Sequence, residues 1–392
     1  VYENLRERQR LLDNAPHLVR PLPFLIPLFG KDGVLSKALV KGYASALRLY
    51  DLTGGWRIGH RYKRISKDQA LSHLPTLKVD RLMAGFLYYD ARGDDARIAL
   101  AIARTAADAF DAAVANYVRA VGFTHDEKSG EVNGVEVRDE ISGEQWVIKT
   151  KGVVNATGVW SEKVTNLAGQ TPSASITPAK GVHITVPKDR LPADVAAVFA
   201  VPGDRRSIFV VPFEECDFTF VGTTDTPFDG SIDEPLCTKE DIEYLLAAVN
   251  ASTSSNLTFD DVTGVWAGLR PLLSPPEGKK VSERTADLSR RHQVSVTKDR
   301  MVHINGGKWT TYRSMADDTV TELLIQLQDP AFVGTIKLRL FGAPRRNEKL
   351  PTNLTGLDLH LYQRFGTARA HITDLIAARP ELGEIAIEGL PY

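Results

Sequence analysis

The residues of this sequence best suited to chemistry are basic and lie far apart along the chain. Arg270 stands in the apolar stretch AGLRP, where a guanidinium is costly unless it meets an anion. His183 ends the segment KGVH at the start of an apolar strand. Lys308 follows two glycines, and Arg290 lies in the run LSRRH. These four side chains are therefore the candidates for binding an anion or moving a proton.

Each candidate also has a structural interpretation that the residues alone leave open. A lone histidine is more often a packed structural residue than a catalyst. Arg270 could pair with a buried carboxylate instead of a ligand. Lys308 and Arg290 could be solvated ends of their segments.

Two turns of small residues form a second kind of signal. Asn155-Ala156-Thr157-Gly158 and Gly306-Gly307 each follow an apolar strand and precede a helix. Glycine lets backbone N–H groups approach a ligand without a Cβ in the way, and ligands collect at such strand ends in open α/β folds. The turns therefore suit a phosphate or the electron-rich edge of a flavin, and their structural alternative is a tight connection.

Composition excludes several classes of protein. The formal net charge of −1 over 392 residues gives no global positive field, so we expect no nucleic-acid partner. Cys216 and Cys237 stand alone, which predicts no metal site and fits a reducing, cytoplasmic setting. The sequence contains no Walker loop, HExxH, GxSxG or GxGxxG element. The run PLPFLIPLF at 21–29 is too short to span a membrane and favours a buried strand over a membrane-contacting surface.

Periodicity predicts alternating helices and strands. Apolar residues at three- and four-residue steps predict helices at 1–12, 36–50, 95–110, 239–249 and 312–327. Short β-rich runs predict strands at 132–137, 145–150, 182–186, 208–211, 218–221 and 302–305, the first two in a small meander.

This alternation predicts an α/β fold with a second, inserted sheet. The chain is long enough for more than one core. The first domain would take 1–20, 90–170 and 300–330 and the inserted sheet 21–89 and 171–299, and a C-terminal helical domain would begin at 340–392.

Taken together, seven segments in this order resemble the FAD-dependent glycerol-3-phosphate dehydrogenases of the D-amino-acid-oxidase-like superfamily. The resemblance covers nearly the whole chain. The segments are YENLRER (2–8), YDARGDDAR (89–97), VNATGVW (154–160), KGVH (180–183), VGTTDT (221–226), GLRPL (268–272) and GGKWTTYR (306–313).

The resemblance implies that the first domain is an incomplete Rossmann-like FAD-binding domain and that the inserted mixed β-sheet is the substrate domain. It also implies oxidation of sn-glycerol 3-phosphate to dihydroxyacetone phosphate by hydride transfer to FAD. The residues it implies as FAD contacts are Asn155, Ala156, Thr157, Gly158, Gly306, Gly307 and Thr310. His183 would accept the C2 hydroxyl proton, Arg270 and Arg290 would hold the phosphate, and Lys308 would offset charge on the reduced flavin or steady the substrate.

The resemblance also implies partners and a setting. Electrons would pass to a quinone, with the protein cytoplasmic and peripheral on the inner face of the cytoplasmic membrane; a homodimer is left open. The glycine-rich FAD fingerprint of the family would precede Val1, and its C-terminal domain would continue beyond Tyr392. We therefore expect these 392 residues alone to bind FAD poorly. The alternatives are a related amine or amino-acid oxidase and a catalytically incompetent fragment.

Overall fold

The computed structural model describes residues 2–30, 36–204, 206–213, 216–274, 291–332, 334–348 and 351–387. Arg290 lies outside these ranges, so its predicted role has no structural counterpart. Within them the α-helices are α1 (Tyr2–Asn14), α2 (Lys37–Thr53), α3 (Lys67–His73), α4 (Asp95–Phe110), α5 (Ser161–Leu167), α6 (Lys239–Ser252), α7 (Tyr312–Gln326), α8 (Gly356–Phe365) and α9 (Arg369–Ala378).

The strands of the same ranges form three sheets. They are β1 (Val19–Phe29), β2 (Lys63–Ser66), β3 (Leu82–Gly93), β4 (Val118–His125), β5 (Val132–Asp139), β6 (Gln145–Lys149), β7 (Val154–Asn155), β8 (Ile176–Pro187), β9 (Ala196–Ala200), β10 (Ser207–Pro212), β11 (Phe218–Gly222), β12 (Thr226–Pro227), β13 (Gly264–Leu273), β14 (His292–Val296) and β15 (Val302–Gly306).

The largest sheet of the described residues is mixed. Its strand order is β12-β8-β11-β10-β9-β1-β3-β2, and β13 also pairs with β8. The strand pairs are antiparallel except β1 and β9, which run parallel. A second sheet has the order β14-β15-β7, with β15 and β7 parallel, and the third is the predicted meander β4-β5-β6.

The proline-rich run forms β1, as the sequence predicts. This strand pairs with β3 along its whole length and with β9 only at Phe24 and Leu25. Its prolines, at 21, 23 and 27, are an even number of positions apart, so their missing N–H groups face the same edge of the strand. The register with β3 is continuous from Val19 to Leu28 and shifts between Leu28 and Phe29, and Leu22, Leu25 and Leu28 are buried.

Alternation along β8 decides which side chains meet the core. Val182, Ile184 and Val186 are fully buried and belong to the main hydrophobic cluster, which β10 and α6 also line. Successive residues of a strand point to opposite faces, so Gly181 and His183 lie on the face turned away from that cluster. The apolar period of this strand thus sets the direction of the histidine.

The predicted helices and strands are present, and the α/β fold class is confirmed. The acidic start of α4 behaves as expected, since the carboxylate of Asp94 caps the helix by accepting the Arg97 N–H at 3.0 Å. The domain boundaries stay predictions. None of the helices in the described part of the chain combines the length and apolar composition that a membrane span requires.

Candidate active site

Strands β8 and β13 present two of the predicted site residues on one face. They pair antiparallel, with Trp266 opposite His183 and Arg270 opposite Ala179. Directly paired residues of an antiparallel ladder point to the same side of the sheet. His183 and Arg270 therefore share the face turned away from the core, although 87 residues separate them in sequence.

Two glycines leave the space that these side chains occupy. A Cβ built on Gly181 would lie 2.5 Å from Nη2 of Arg270, so the guanidinium lies directly over this glycine. A Cβ on Gly222 would lie 2.5 Å from Nε2 of His183 and overlap its ring. The close approach of both functional groups to the backbone thus depends on the absence of side chains at these positions.

The guanidinium of Arg270 is held by the segment that follows β11. Nη1 donates to the Thr224 carbonyl at 3.3 Å and to Oδ1 of Asp225 at 3.4 Å, and Nη2 donates to Oγ1 of Thr223 at 3.2 Å. The Asp225 side chain is 8% exposed, whereas that of Arg270 is 30% exposed. The carboxylate partner foreseen as the structural alternative therefore exists, and the arginine still reaches solvent.

Stacking positions the ring of His183, and burial and a nearby charge set its protonation state. Its ring stacks on Trp266 with centroids 5.1 Å apart and planes 8° from parallel. Burial, and next the positive charge of Arg270, lower the pKa of His183 to about 4, against a smaller opposing effect of Asp95. The imidazole is therefore neutral at pH 7 and carries a lone pair that can accept a proton.

An open cleft of about 640 Å³ lies beside the two predicted glycine turns. Its lining residues are Val154, Ala156, Gly158, Pro271, Ile304, Gly306, Gly307, Lys308, Trp309, Tyr312, Met315, Ala316, Thr319 and Val320. Gly306 and Gly307 have φ values of +72° and +86°, which only glycine adopts without strain. The volume falls in the range typical of cofactor sites, and apolar walls beside backbone turns suit a planar ring with a polar edge.

The remaining residues predicted to contact the cofactor do not line this cleft in the described part of the chain. Asn155 is 2% exposed, and its amide donates to the Ser161 carbonyl at 3.0 Å while its oxygen accepts the Thr157 hydroxyl at 2.6 Å. This side chain thus shapes the turn from within. Thr157 is exposed and Thr310 is half-buried, and neither lines the cleft of the described residues.

Strand β13 connects the cleft with the His183 and Arg270 face. Pro271, the residue after Arg270, lines the cleft, and a Cβ on Gly306 would meet Cδ1 of Leu273 at 3.1 Å. Lys308 is exposed at the end of the same cleft. Arg270 therefore stands one residue from the cleft wall.

Sequence reasoning missed the residues that support this site. Trp266 and Asp225 were not singled out as site residues, because stacking and pairing partners depend on strand register. One usable signal existed, since Asp225 lies within the segment VGTTDT that carries the resemblance.

The fold and the cleft define a flavoprotein of the oxidoreductase class, and the chain belongs to the FAD-dependent oxidoreductase (DAO) family, whose profile matches residues 1–311. This match confirms the family expected from the motifs and FAD as the cofactor of the family.

Two curated relatives illustrate the similarity. The probable mitochondrial glycerol-3-phosphate dehydrogenase of Caenorhabditis elegans is 38% identical over 328 residues, which cover 83% of this chain and 43% of the relative. Glycerol-3-phosphate dehydrogenase 2 of Mycobacterium tuberculosis is 36% identical over 397 residues, with 97% of this chain and 64% of the relative covered. The chain thus spans about half to two thirds of these relatives.

Solved structures give the same picture. The glycerol-3-phosphate dehydrogenase of Bacillus halodurans, complexed with FAD, matches with a TM-score of 0.76 and 29% identity, covering 96% of this chain and 69% of that one. The glycine oxidase of Bacillus cereus matches with a TM-score of 0.56 at 15% identity, a likeness of fold alone.

Proposed function

We propose that this chain carries the substrate-binding and much of the cofactor-binding part of an enzyme that oxidises sn-glycerol 3-phosphate to dihydroxyacetone phosphate with FAD. The observation that carries the proposal is that a neutral imidazole, that of His183, and the guanidinium of Arg270 lie on the same face of one sheet. Relatives named glycerol-3-phosphate dehydrogenase support the choice of substrate.

Arg270 and His183 have different roles in the proposed reaction. A dianionic phosphate is well matched to a guanidinium, and Arg270 keeps 30% of its side chain exposed for such a contact. His183 accepts the C2 hydroxyl proton. Because a bound phosphate offsets the charge of Arg270, we expect substrate to raise the pKa of His183 and strengthen it as a base.

The cleft residues hold the cofactor. The chemistry that FAD supplies when bound is acceptance of a hydride equivalent from the substrate carbon. The Gly306-Gly307 turn and Gly158 bring backbone against it, and the apolar walls exclude water. Lys308, exposed at the end of the cleft, provides positive charge near the reduced ring or the substrate. By resemblance Arg290 joins Arg270 at the phosphate, and Asn155, Thr157 and Thr310 belong to the cofactor-binding turns.

The electron acceptor and setting belong to the same proposal. By resemblance, a quinone takes the electrons, and the protein is a cytoplasmic enzyme attached peripherally to the inner face of the membrane. A homodimer is compatible with this arrangement.

Anaerobic stopped-flow measurement of flavin reduction tests the proposal. The full-length enzyme loaded with FAD should be reduced by glycerol 3-phosphate, more slowly by glycerol, and not by glycine or proline. His183→Gln should slow reduction about 100-fold or more, as expected for loss of a general base. Arg270→Gln should weaken binding of glycerol 3-phosphate about tenfold or more without affecting glycerol.

Binding of FAD is measured separately by flavin fluorescence, so that an absence of flavin reduction can be distinguished from an absence of FAD binding. If the chain binds FAD but glycine or proline reduces it in place of glycerol 3-phosphate, the amino-acid oxidase alternative replaces this proposal. An unchanged reduction rate in His183→Gln would exclude the base role.

A further inference from the structure

A second cleft, of about 740 Å³, lies at the opposite edge of the large sheet. It opens between α2 and the edge strand β2, with Phe86 of β3 at its base. Six strand intervals separate β2 from β8, which at about 4.8 Å each place the cleft roughly 29 Å from the His183 strand. This cleft, called the α2 cleft below, is therefore a separate place on the molecule.

Four cations line the α2 cleft, namely Arg48, Arg61, Lys63 and Arg64. All four are exposed, and within the described ranges none of them has a carboxylate partner. Asp51 is the acidic residue of the lining, and its Oδ2 already accepts the backbone N–H of Tyr62 at 3.0 Å. The cleft therefore concentrates positive charge that the protein itself leaves uncompensated, on a chain whose net charge is −1.

The floor of the α2 cleft is apolar. Val40, Ala44, Tyr62 and Phe86 contribute to it, and the rings of Tyr62 and Phe86 pack with centroids 6.1 Å apart. Phe86 is 1% exposed, so this floor is anchored in the sheet. A cationic rim over an apolar floor matches a ligand that has both an anionic group and an apolar body.

We propose that the α2 cleft is a second binding site, specific for a phosphate ester and independent of the proposed substrate site. Guanidinium groups favour phosphate because two parallel N–H donors meet two of its oxygens, and three of the four cations are arginines. Such a phosphate can come from a soluble phosphorylated compound or from the headgroup of a phospholipid. The inference does not rest on the oxidation chemistry, since the α2 cleft shares no residue with that site.

The two sources are separated by two probes. Isothermal titration with phenyl phosphate, a soluble phosphate ester with an apolar body, measures a soluble ligand, and co-sedimentation with phosphatidylcholine vesicles with or without phosphatidic acid measures a lipid headgroup. Both are run without glycerol 3-phosphate, in wild type and in Arg270→Gln, so that binding at the His183 and Arg270 face is distinguished from binding in the α2 cleft. The variant is Arg61→Gln/Arg64→Gln. Its matched control is Arg346→Gln/Arg379→Gln, which removes two exposed arginines outside the α2 cleft.

Wild type should bind at least one probe, and Arg61→Gln/Arg64→Gln should weaken that binding at least about tenfold while the control retains it. Binding should fall with added salt. The proposal is overturned if neither probe binds wild type, or if the control loses as much as the variant. Should the double variant fail to fold, as judged by its thermal midpoint, Lys63→Gln replaces it with the same two outcomes. Flavin reduction is recorded in parallel, so a failed α2 cleft and a failed oxidation proposal give different results.

Discussion

A methyl group on Gly222 would overlap the imidazole of His183, because β11 and β8 pair these two residues directly. The histidine thus lies flat against the backbone of the neighbouring strand, with Trp266 on the strand at its other side. Its ring position is set by both neighbours, one through the absence of a side chain and one through a large aromatic surface.

Gly222→Ala should therefore impair catalysis through His183. The added Cβ must push the ring out of place, and a shift of about 1 Å in a reacting group can cost about 100-fold in rate. We expect flavin reduction to slow at least about tenfold while FAD binding is retained. Gly42→Ala is the control, since a Cβ there meets nothing within 4 Å and the residue lies in α2. Equal rates in wild type and Gly222→Ala would contradict the placement of His183.

The pH dependence of kcat/KM should report the lowered pKa of His183. Burial and Arg270 hold this pKa at about 4 in the free protein, and the neutral form is the base. The profile is measured with glycerol, because the phosphate of glycerol 3-phosphate itself gains a proton near pH 6. With glycerol, kcat/KM should persist from pH 7 down to about 5 and decline as pH falls through about 4. In kcat for glycerol 3-phosphate, which reports the substrate complex, the decline should lie at higher pH because the bound phosphate offsets Arg270. A decline of kcat/KM centred near 6.5 would be inconsistent with a buried base beside a cation.

Asp225→Asn should loosen Arg270, the arginine proposed to bind phosphate. Asp225 is 8% exposed and lies 3.4 Å from Arg270, and the substitution removes the negative charge from this ion pair. We expect KM for glycerol 3-phosphate to rise by about three- to tenfold, with kcat changing less. Steady-state kinetics with glycerol as a second substrate provide the control, because glycerol carries no phosphate. A loss confined to kcat would assign Asp225 to a different role.

The bidentate pair of Glu7 and Arg313 should matter to stability far more than surface pairs. Nε of Arg313 donates to Glu7 at 2.9 Å and Nη2 at 3.1 Å, with side chains 8% and 1% exposed, so the pair ties α1 to α7. Arg313→Met leaves the buried Glu7 carboxylate paired with Arg10 and also removes the ion pair with Asp317, so it should lower the free energy of unfolding by about 2 kcal/mol. Lys239→Ala, from an exposed pair with Glu243, should leave the denaturation midpoint unchanged. Urea unfolding measures both.

His17 should make the protein less stable in mild acid. It is 1% exposed, and burial lowers its pKa to about 4, whereas the unfolded chain binds a proton near 6.5. The unfolded state therefore takes up more protons between these values, and the free energy of unfolding should fall as pH falls from about 6.5 to about 4. His17→Leu should flatten this part of the stability curve measured by urea unfolding. A slope identical to that of wild type would assign the acid sensitivity to other groups.

Local patterns predicted much of the fold because they depend on neighbouring residues. The alternation of Val182, Ile184 and Val186 fixes the strand and its buried face, and the proline-rich run could be recognised as the strand β1 from its length alone. The contacts between side chains on different strands could not be predicted. The stacking of Trp266 on His183 and the pairing of Asp225 with Arg270 follow from a register that the sequence does not state.

The α2 cleft could not be predicted from the sequence either, because it too depends on how separate segments come together. Its cations come from a helix and from a separate loop and strand, so no single segment of the sequence carries its charge pattern. Arg270 stands out in the sequence for its unusual apolar surroundings, which Arg61 lacks. Ordinary surface arginines become significant only when folding leaves them without partners around one cavity.

Because Arg270 and Pro271 are consecutive on β13, one stretch of backbone fixes the spacing between the proposed substrate face and the cleft proposed for the flavin. Under this proposal, an exchange of the Thr223 to Asp225 segment alters which anion is accepted while that spacing stays constant. Substrate preference and the geometry of hydride transfer would then be separable, so that one scaffold accepts new substrates with the flavin in the same place.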